Sequence, residues 1–285
     1  MTFRKRNYLI YENKGGFVTA VITCTYFSHA RKGRVTFNAV LPTELPPDLH
    51  TAAENSECYS TGPFPTIYLL HGYTGGYDDW LNNSPVVEWA MKHRYAIIMP
   101  GASNDFYLDN EDSEEKHGEW IGCELINVTR GLFPLSVKRE DTILGGYSMG
   151  GFGALRNGFK YNETFGAILA LSSALIEVEV SGMKQGDHNG VAGYRYYRHV
   201  FGDPEQLLGS DKDPKHLAGE LKTKQKSLPR LYLACGTEDF LYSRNEDFHH
   251  YLESVNYPHA WVAFQGVHDF VFWNNAMEKA LDWLE

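Results

Sequence analysis

The sequence predicts an α/β protein, with a mostly parallel, doubly wound sheet that is entered through antiparallel strands and interrupted late by an insertion. Three observations predict it. Short β-rich runs come first, and strand-like and helix-like segments then alternate along the chain. The later strand candidates are near-continuous apolar runs, the mark of strands covered on both faces. A chain of 285 residues that is 43% hydrophobic also has enough apolar side chain for one large core, so the expectation is a single unit spanning 1–285.

The elements follow in order. Residues 17–24 read as a strand, and 34–41 as a second one with Val35, Phe37, Ala39 and Leu41 alternating. Buried strands are expected at 66–70, 95–99, 142–144, 165–171, 230–235 and 260–264, joined by right-handed crossovers. Ser84-Pro85 offers a capping hydroxyl before a first-turn proline, opening a helix over 86–94. Ser243-Arg244-Asn245-Glu246 has the capping-box pattern and opens a helix that runs through Leu252. From about 175 to 229 no strong strand is found, and glycine, lysine, aspartate and histidine abound. This stretch reads as a cap-like insertion at the carboxyl edge of the sheet, a lid or a substrate wall.

A net charge of −10 and a pI near 5.6 argue against nucleic acid and anionic membrane surfaces as partners, since both are polyanions. No run approaches the roughly 20 apolar residues of a membrane span. The basic start, Met1-Thr2-Phe3-Arg4-Lys5-Arg6, leads into no apolar segment or small-residue cleavage site. Cys24, Cys58, Cys123 and Cys235 form no C-x-x-C pair, and Cys24 and Cys235 fall in strands. The expectation is four reduced thiols in a cytoplasmic protein.

The chemistry concentrates at strand ends. In Gly146-Tyr147-Ser148-Met149-Gly150 an apolar strand runs into the motif and a helix pattern leaves it. Such a turn must be tight and strained to project the seryl oxygen, and glycine is needed wherever a Cβ would strike a neighbouring strand or helix. A serine nucleophile needs a base, and the base an orienting acid. His268 follows the strand at 260–264, whereas His249, His250 and His259 lack that placement. The acid is offered by Glu238 or Asp239 after the strand at 230–235, and spacing leaves the two open; Asp269 is a weaker rival. Leu69-Leu70-His71-Gly72-Tyr73-Thr74-Gly75-Gly76 is a glycine-rich loop after an earlier strand. The backbone N–H groups of Tyr73 and Met149 are its candidate oxyanion donors, and His71 is read as a brace of the loop that also borders substrate.

Taken together, these motifs resemble the esterase D / tributyrin-esterase family of α/β hydrolases. The resemblance spans most of the chain. It includes Tyr26-Phe27-Ser28, Leu69-Leu70-His71-Gly72, Ser136-Val137-Lys138-Arg139-Glu140-Asp141-Thr142, the serine motif, Cys235-Gly236-Thr237-Glu238-Asp239-Phe240-Leu241-Tyr242, and Gly266-Val267-His268-Asp269-Phe270 with Trp273. It implies hydrolysis of small, short-chain acyl esters, a Ser148–His268–Asp239 triad, and no metal or organic cofactor. The partner implied is a small-molecule ester; a homo-oligomer is compatible with it.

Relatives of this kind also include feruloyl (cinnamoyl), acetyl-carbohydrate (xylan) and S-formylglutathione hydrolases. The last fits less well, because its oxyanion loop typically carries serine and cysteine around the glycine, where this chain has His71-Gly72-Tyr73-Thr74. An acyltransferase or a non-catalytic binding module are the remaining readings. Trp80, Phe106, Tyr107, Tyr194, Tyr196 and Tyr197 could stack on a ring or sugar, and His71, Trp80, Tyr107 and Trp273 are the substrate-side candidates. The acidic run 109–119 lacks a regular ligand pattern and reads as a solvated loop.

Overall fold

The computed structural model describes residues 8–10, 19–43 and 61–285. Phe17, Val18, Cys58 and the basic start lie outside them. Strands β1 (Tyr8–Ile10), β2 (Ala20–Ser28) and β3 (Gly33–Leu41) form the antiparallel entry, and β3 pairs antiparallel with β5 (Ala96–Pro100). From β5 onward every pairing is parallel: β4 (Thr66–Leu70), β6 (Thr142–Tyr147), β7 (Ala167–Leu171), β8 (Arg230–Gly236) and β9 (Ala260–Phe264). The nine-stranded order is β1-β2-β3-β5-β4-β6-β7-β8-β9.

The sheet is covered on both faces, and side-chain alternation divides the core between them. Tyr68, Leu70, Ile98, Leu144, Ile168 and Leu231 point to one face. There they meet α5 (Met149–Lys160) through Phe152 and Phe159, and α9 (Tyr242–Ser254) through Phe248 and Leu252. A helical run on the same face comprises α3 (His117–Glu119), a π turn over Trp120–Glu124, and α4 (Leu125–Leu132). Ile67, Leu69, Ile97, Ile143 and Leu169 point the other way. Their partners are Trp80 of α1 (Asp79–Asn83), Val86 and Trp89 of α2 (Val86–His93), and Ala276 and Met277 of α10 (Phe270–Leu284). Strand order reverses between β4 and β6, because the chain leaves β4 for β5 on one side and reaches β6 on the other. The crevice outside the carboxyl ends of such a pair is where open α/β sheets bind ligands.

Three local expectations are corrected. Ser84 does not cap α2: its hydroxyl donates to Trp80 O, closing the preceding α1 turn. The capping box at Ser243 is absent, because α9 begins earlier, at Tyr242, and Glu246 accepts Tyr242 O–H at 2.9 Å. β9 is an edge strand, and its residues are half-buried or exposed.

The stretch 175–229 holds α6 (Glu177–Ser181), α7 (Tyr194–Phe201), a short 3-10 turn at Pro204–Gln206, and α8 (Pro214–Thr223). Helix α8 is the ordinary crossover between β7 and β8, packing Leu217, Ala218 and Leu221 into the core. Its start was encoded: Asp213 accepts from Lys215 N and His216 N ahead of a first-turn proline. Only the part before α8 is additional to the wound sheet. Buried Arg156 of α5 holds it, donating to Asp211 O at 2.9 Å and Asp211 Oδ2 at 2.7 Å.

Candidate active site

Strand β6 is buried throughout and ends at Tyr147, where the chain must turn at once into α5. Ser148 makes that turn at φ 55° and ψ −119°, a left-handed conformation that costs a non-glycine residue on the order of 1–3 kcal/mol. The turn is held by Ser148 N–H to Leu171 O at 2.9 Å and Ala174 N–H to Ser148 O at 3.0 Å. Its tightness requires the flanking glycines. A Cβ on Gly146 would meet the backbone of Gly150, and a Cβ on Gly150 would collide with Leu70 O and His71 O. The seryl oxygen therefore stands at the carboxyl end of β6 and at the amino end of α5, whose dipole favours developing negative charge.

His268 and Asp239 arrive from the two following strands. His268 lies four residues beyond the end of β9, and its Nε2 is 2.9 Å from Ser148 Oγ. Its Nδ1 is 2.8 Å from Asp239 Oδ2, in the loop after β8. With Nδ1–H donating to the carboxylate, Nε2 keeps its lone pair for the seryl O–H. The ring is held between Trp273, edge-on at 5.0 Å, and Phe240 at 4.6 Å.

The choice between Glu238 and Asp239 is made by burial. Asp239 is turned inward and takes Leu241 N–H on Oδ1 at 2.8 Å. Glu238 is exposed and accepts from Gln265. Burial alone would raise the Asp239 pKa. Hydrogen bonds from His268, from Leu241 N–H and from Ser172 outweigh it and hold the carboxyl below its usual range. Asp269 does not compete, since it caps α10 by accepting Phe272 N–H at 2.9 Å.

The loop after β4 lies against this turn, because β4 and β6 are neighbours with Leu70 opposite Gly146. His71 is buried, with Nδ1–H donating to Gly72 O at 2.7 Å and Nε2 accepting Ala102 N–H at 2.8 Å. Thr74 adopts φ 64°, and its N–H donates to Asn104 Oδ1 at 2.7 Å. Asn104 O in turn accepts Tyr196 O–H from α7 at 2.6 Å, and the Tyr73 and Tyr196 rings meet edge-to-face at 5.9 Å. Tyr73 is thus fixed from both sides, by the loop after β5 and by the insertion.

The four substrate-side candidates lie in the core. Trp80, Tyr107, Trp273 and His71 are all buried, so none offers a face to a ligand. Trp80 Nε1–H donates to Leu70 O, and Tyr107 O–H donates to His71 O at 2.9 Å. Trp273 Nε1–H donates to Ser172 Oγ at 3.1 Å while its ring stacks on Tyr147 at 4.1 Å. Phe106 and Tyr197 are likewise core residues. The residues that sequence reasoning missed are Asn104 and Ser172. Both sit just past strand ends, the same signal that located His268.

A serine, imidazole and carboxylate in series at the carboxyl edge of a wound parallel sheet define an α/β hydrolase. The family model Esterase, described as Putative esterase, matches residues 54–284, and the chain belongs to that family. It is 42% identical over 265 residues to the acetyl esterase of Caldicellulosiruptor saccharolyticus, covering 93% of this chain and 98% of that protein. The fold is similar to that of FphF, a fluorophosphonate-binding serine hydrolase of Staphylococcus aureus (TM-score 0.78, 24% identity, 93% and 98% of the two chains). It is also similar to that of a ferulic acid esterase (TM-score 0.71, 20% identity, 93% and 97%).

Proposed function

We propose that this protein is a serine carboxylester hydrolase that cleaves short-chain acyl esters, with Ser148 as nucleophile. The observation that carries the reading is the unbroken series Ser148 Oγ, His268, Asp239, linked at 2.9 and 2.8 Å. His268 Nε2 takes the seryl proton as Ser148 Oγ attacks the ester carbonyl, and Asp239 stabilises the imidazolium that forms. The Tyr73 and Met149 N–H groups receive the oxyanion. His268 then returns the proton to the departing alcohol. Water repeats the sequence on the acyl-enzyme and releases the acid, regenerating Ser148.

A small acyl group is supported by the relative named acetyl esterase, which aligns over 93% of this chain. A second reading, an ester with an aromatic or sugar portion, is favoured by Phe240. This ring is 66% exposed and lies directly beside His268, where the departing alcohol collects its proton. The free thiols Cys24, Cys123 and Cys235 suit a reducing compartment, and we place the protein in the cytoplasm on that ground.

The test is kcat/KM for p-nitrophenyl acetate, butyrate and octanoate beside methyl ferulate. Acetate and butyrate should be turned over fastest. A preference for methyl ferulate over every alkyl ester would shift the reading to hydroxycinnamates, and no turnover of any of them would overturn it.

A further inference from the structure

Helix α9 carries a group of side chains that the ester chemistry does not use. Glu253 lies four residues after His249 and three after His250, so its carboxylate sits one turn along from both rings. Glu253 Oε2 is 3.1 Å from His250 Nδ1 and 3.7 Å from His249 Nε2. One ligand atom from each of the three lies within 4.8 Å of the others.

The hydrogen bonds behind this group decide what His249 presents to it. His259 precedes β9 and directs Nδ1–H to Tyr257 O at 2.8 Å, so its Nε2 carries a lone pair. That lone pair faces His249 Nδ1 at 2.7 Å, and His249 Nδ1 must therefore carry the hydrogen. It follows that neutral His249 turns a lone pair at Nε2 toward a carboxylate oxygen, acceptor against acceptor. The His249 ring is also stacked flat on Trp261, at 5.2 Å and 12°. A cation between the two acceptors removes the conflict. Ligand atoms about 2.0–2.1 Å from a tetrahedral ion stand roughly 3.3 Å apart, close to the 3.1 and 3.7 Å that separate Glu253 Oε2 from the two imidazole nitrogens.

We propose that His249 Nε2, His250 Nδ1 and Glu253 bind one divalent transition-metal ion, with His259 orienting the first ligand. Two imidazoles and one carboxylate suit Zn²⁺, Ni²⁺ or Cu²⁺ rather than Mg²⁺ or Ca²⁺, which take oxygen ligands. The site is on the last two turns of α9, away from the end of that helix that follows Asp239, so it is a structural site and takes no part in ester hydrolysis. Through His259 it would tie the end of α9 to the start of β9, and binding to the folded chain alone would raise stability.

The experiment is calorimetric titration of the chelator-treated full-length protein with ZnCl₂, repeated on variants that keep ester turnover. The expected result is saturable one-to-one binding that Mg²⁺ and Ca²⁺ do not displace. It should weaken at least about tenfold in both His249→Ala and Glu253→Gln, and about 10–100-fold in His259→Ala through the lost orienting bond. Tm should rise with Zn²⁺ in the parent and not in His249→Ala. Absence of saturable binding, or binding unchanged in the His249→Ala/Glu253→Gln double variant, would overturn the site.

Discussion

His268 can serve Ser148 only while its Nδ1–H is committed to Asp239, and that commitment depends on one buried carboxylate. In Asp239→Asn an amide replaces the acceptor, the imidazole loses its required tautomer, and kcat should fall by about 10⁴ with the fold intact. A loss under tenfold would mean that another group orients the base. Asn104 acts one step further out, because it holds the strained Thr74 amide beside Tyr73. Asn104→Ala should lower kcat by up to about 10² while KM changes little, since the oxyanion forms only in the transition state. Equal losses on both parameters would instead indicate a binding role. Ser148 and His268 were legible because each follows an apolar strand in the right order. Spacing alone did not separate Glu238 from Asp239, as adjacent residues in a loop share it; the family resemblance chose Asp239, and the structure turns that residue inward. The burial of Trp80, Tyr107 and Trp273 was not legible, because a sequence does not say which aromatic near a strand end faces solvent and which supports the strand from beneath.

At the scale of elements, the insertion contains a group that makes stability depend on pH. Glu177, in the first turn of α6, is 2% exposed, and its Oε2 has no hydrogen-bond partner among the described residues. Burial raises its pKa from 4.5 to about 7, while its own backbone N–H acts in the opposite direction. Between those two values the folded chain keeps a proton that the unfolded chain has lost. Stability therefore falls as pH rises through that window and stays lowered above it. Glu177→Gln, which resembles the protonated acid, should match the parent near pH 4 and exceed it at pH 8 by on the order of 3 kcal/mol. Urea midpoints at the two pH values check this, and equal midpoints at pH 8 would contradict it. Helices were readable at 86–94 and around 243–252 but not inside the insertion, and helix starts were less legible. Ser84 carries a capping residue type yet closes the preceding turn, and Ser243 falls inside α9 instead of before it, whereas Asp213 caps α8 ahead of Pro214.

On the scale of the whole molecule, apolar runs revealed a parallel sheet because both faces are covered. They could not give the order β5-β4-β6, since pairing partners are chosen by crossovers and not by periodicity. They also made β9 look interior, when helix α10 and the His249–Trp261 stack cover much of an edge. The insertion is joined to the sheet by buried Arg156, whose guanidinium reaches Asp211 from the helix that follows Ser148. Arg156→Met should lower unfolding free energy by about 2 kcal/mol, the scale of hydrogen bonds lost from a charged group whose exposed partner Asp211 keeps Lys160, which equilibrium denaturation would read. An unchanged midpoint would show that the segment is held elsewhere.

The central claim is that Ser148 is the acylated nucleophile, and its most direct measurement is stoichiometric labelling with a fluorophosphonate followed by intact mass and peptide mapping. One phosphonyl group should appear, on the peptide containing Gly146-Tyr147-Ser148-Met149-Gly150, as ester turnover is lost. Ser148→Ala should neither take the label nor retain more than about 10⁻⁶ of the parent kcat. A label on any other residue, or turnover persisting in Ser148→Ala, would contradict the account.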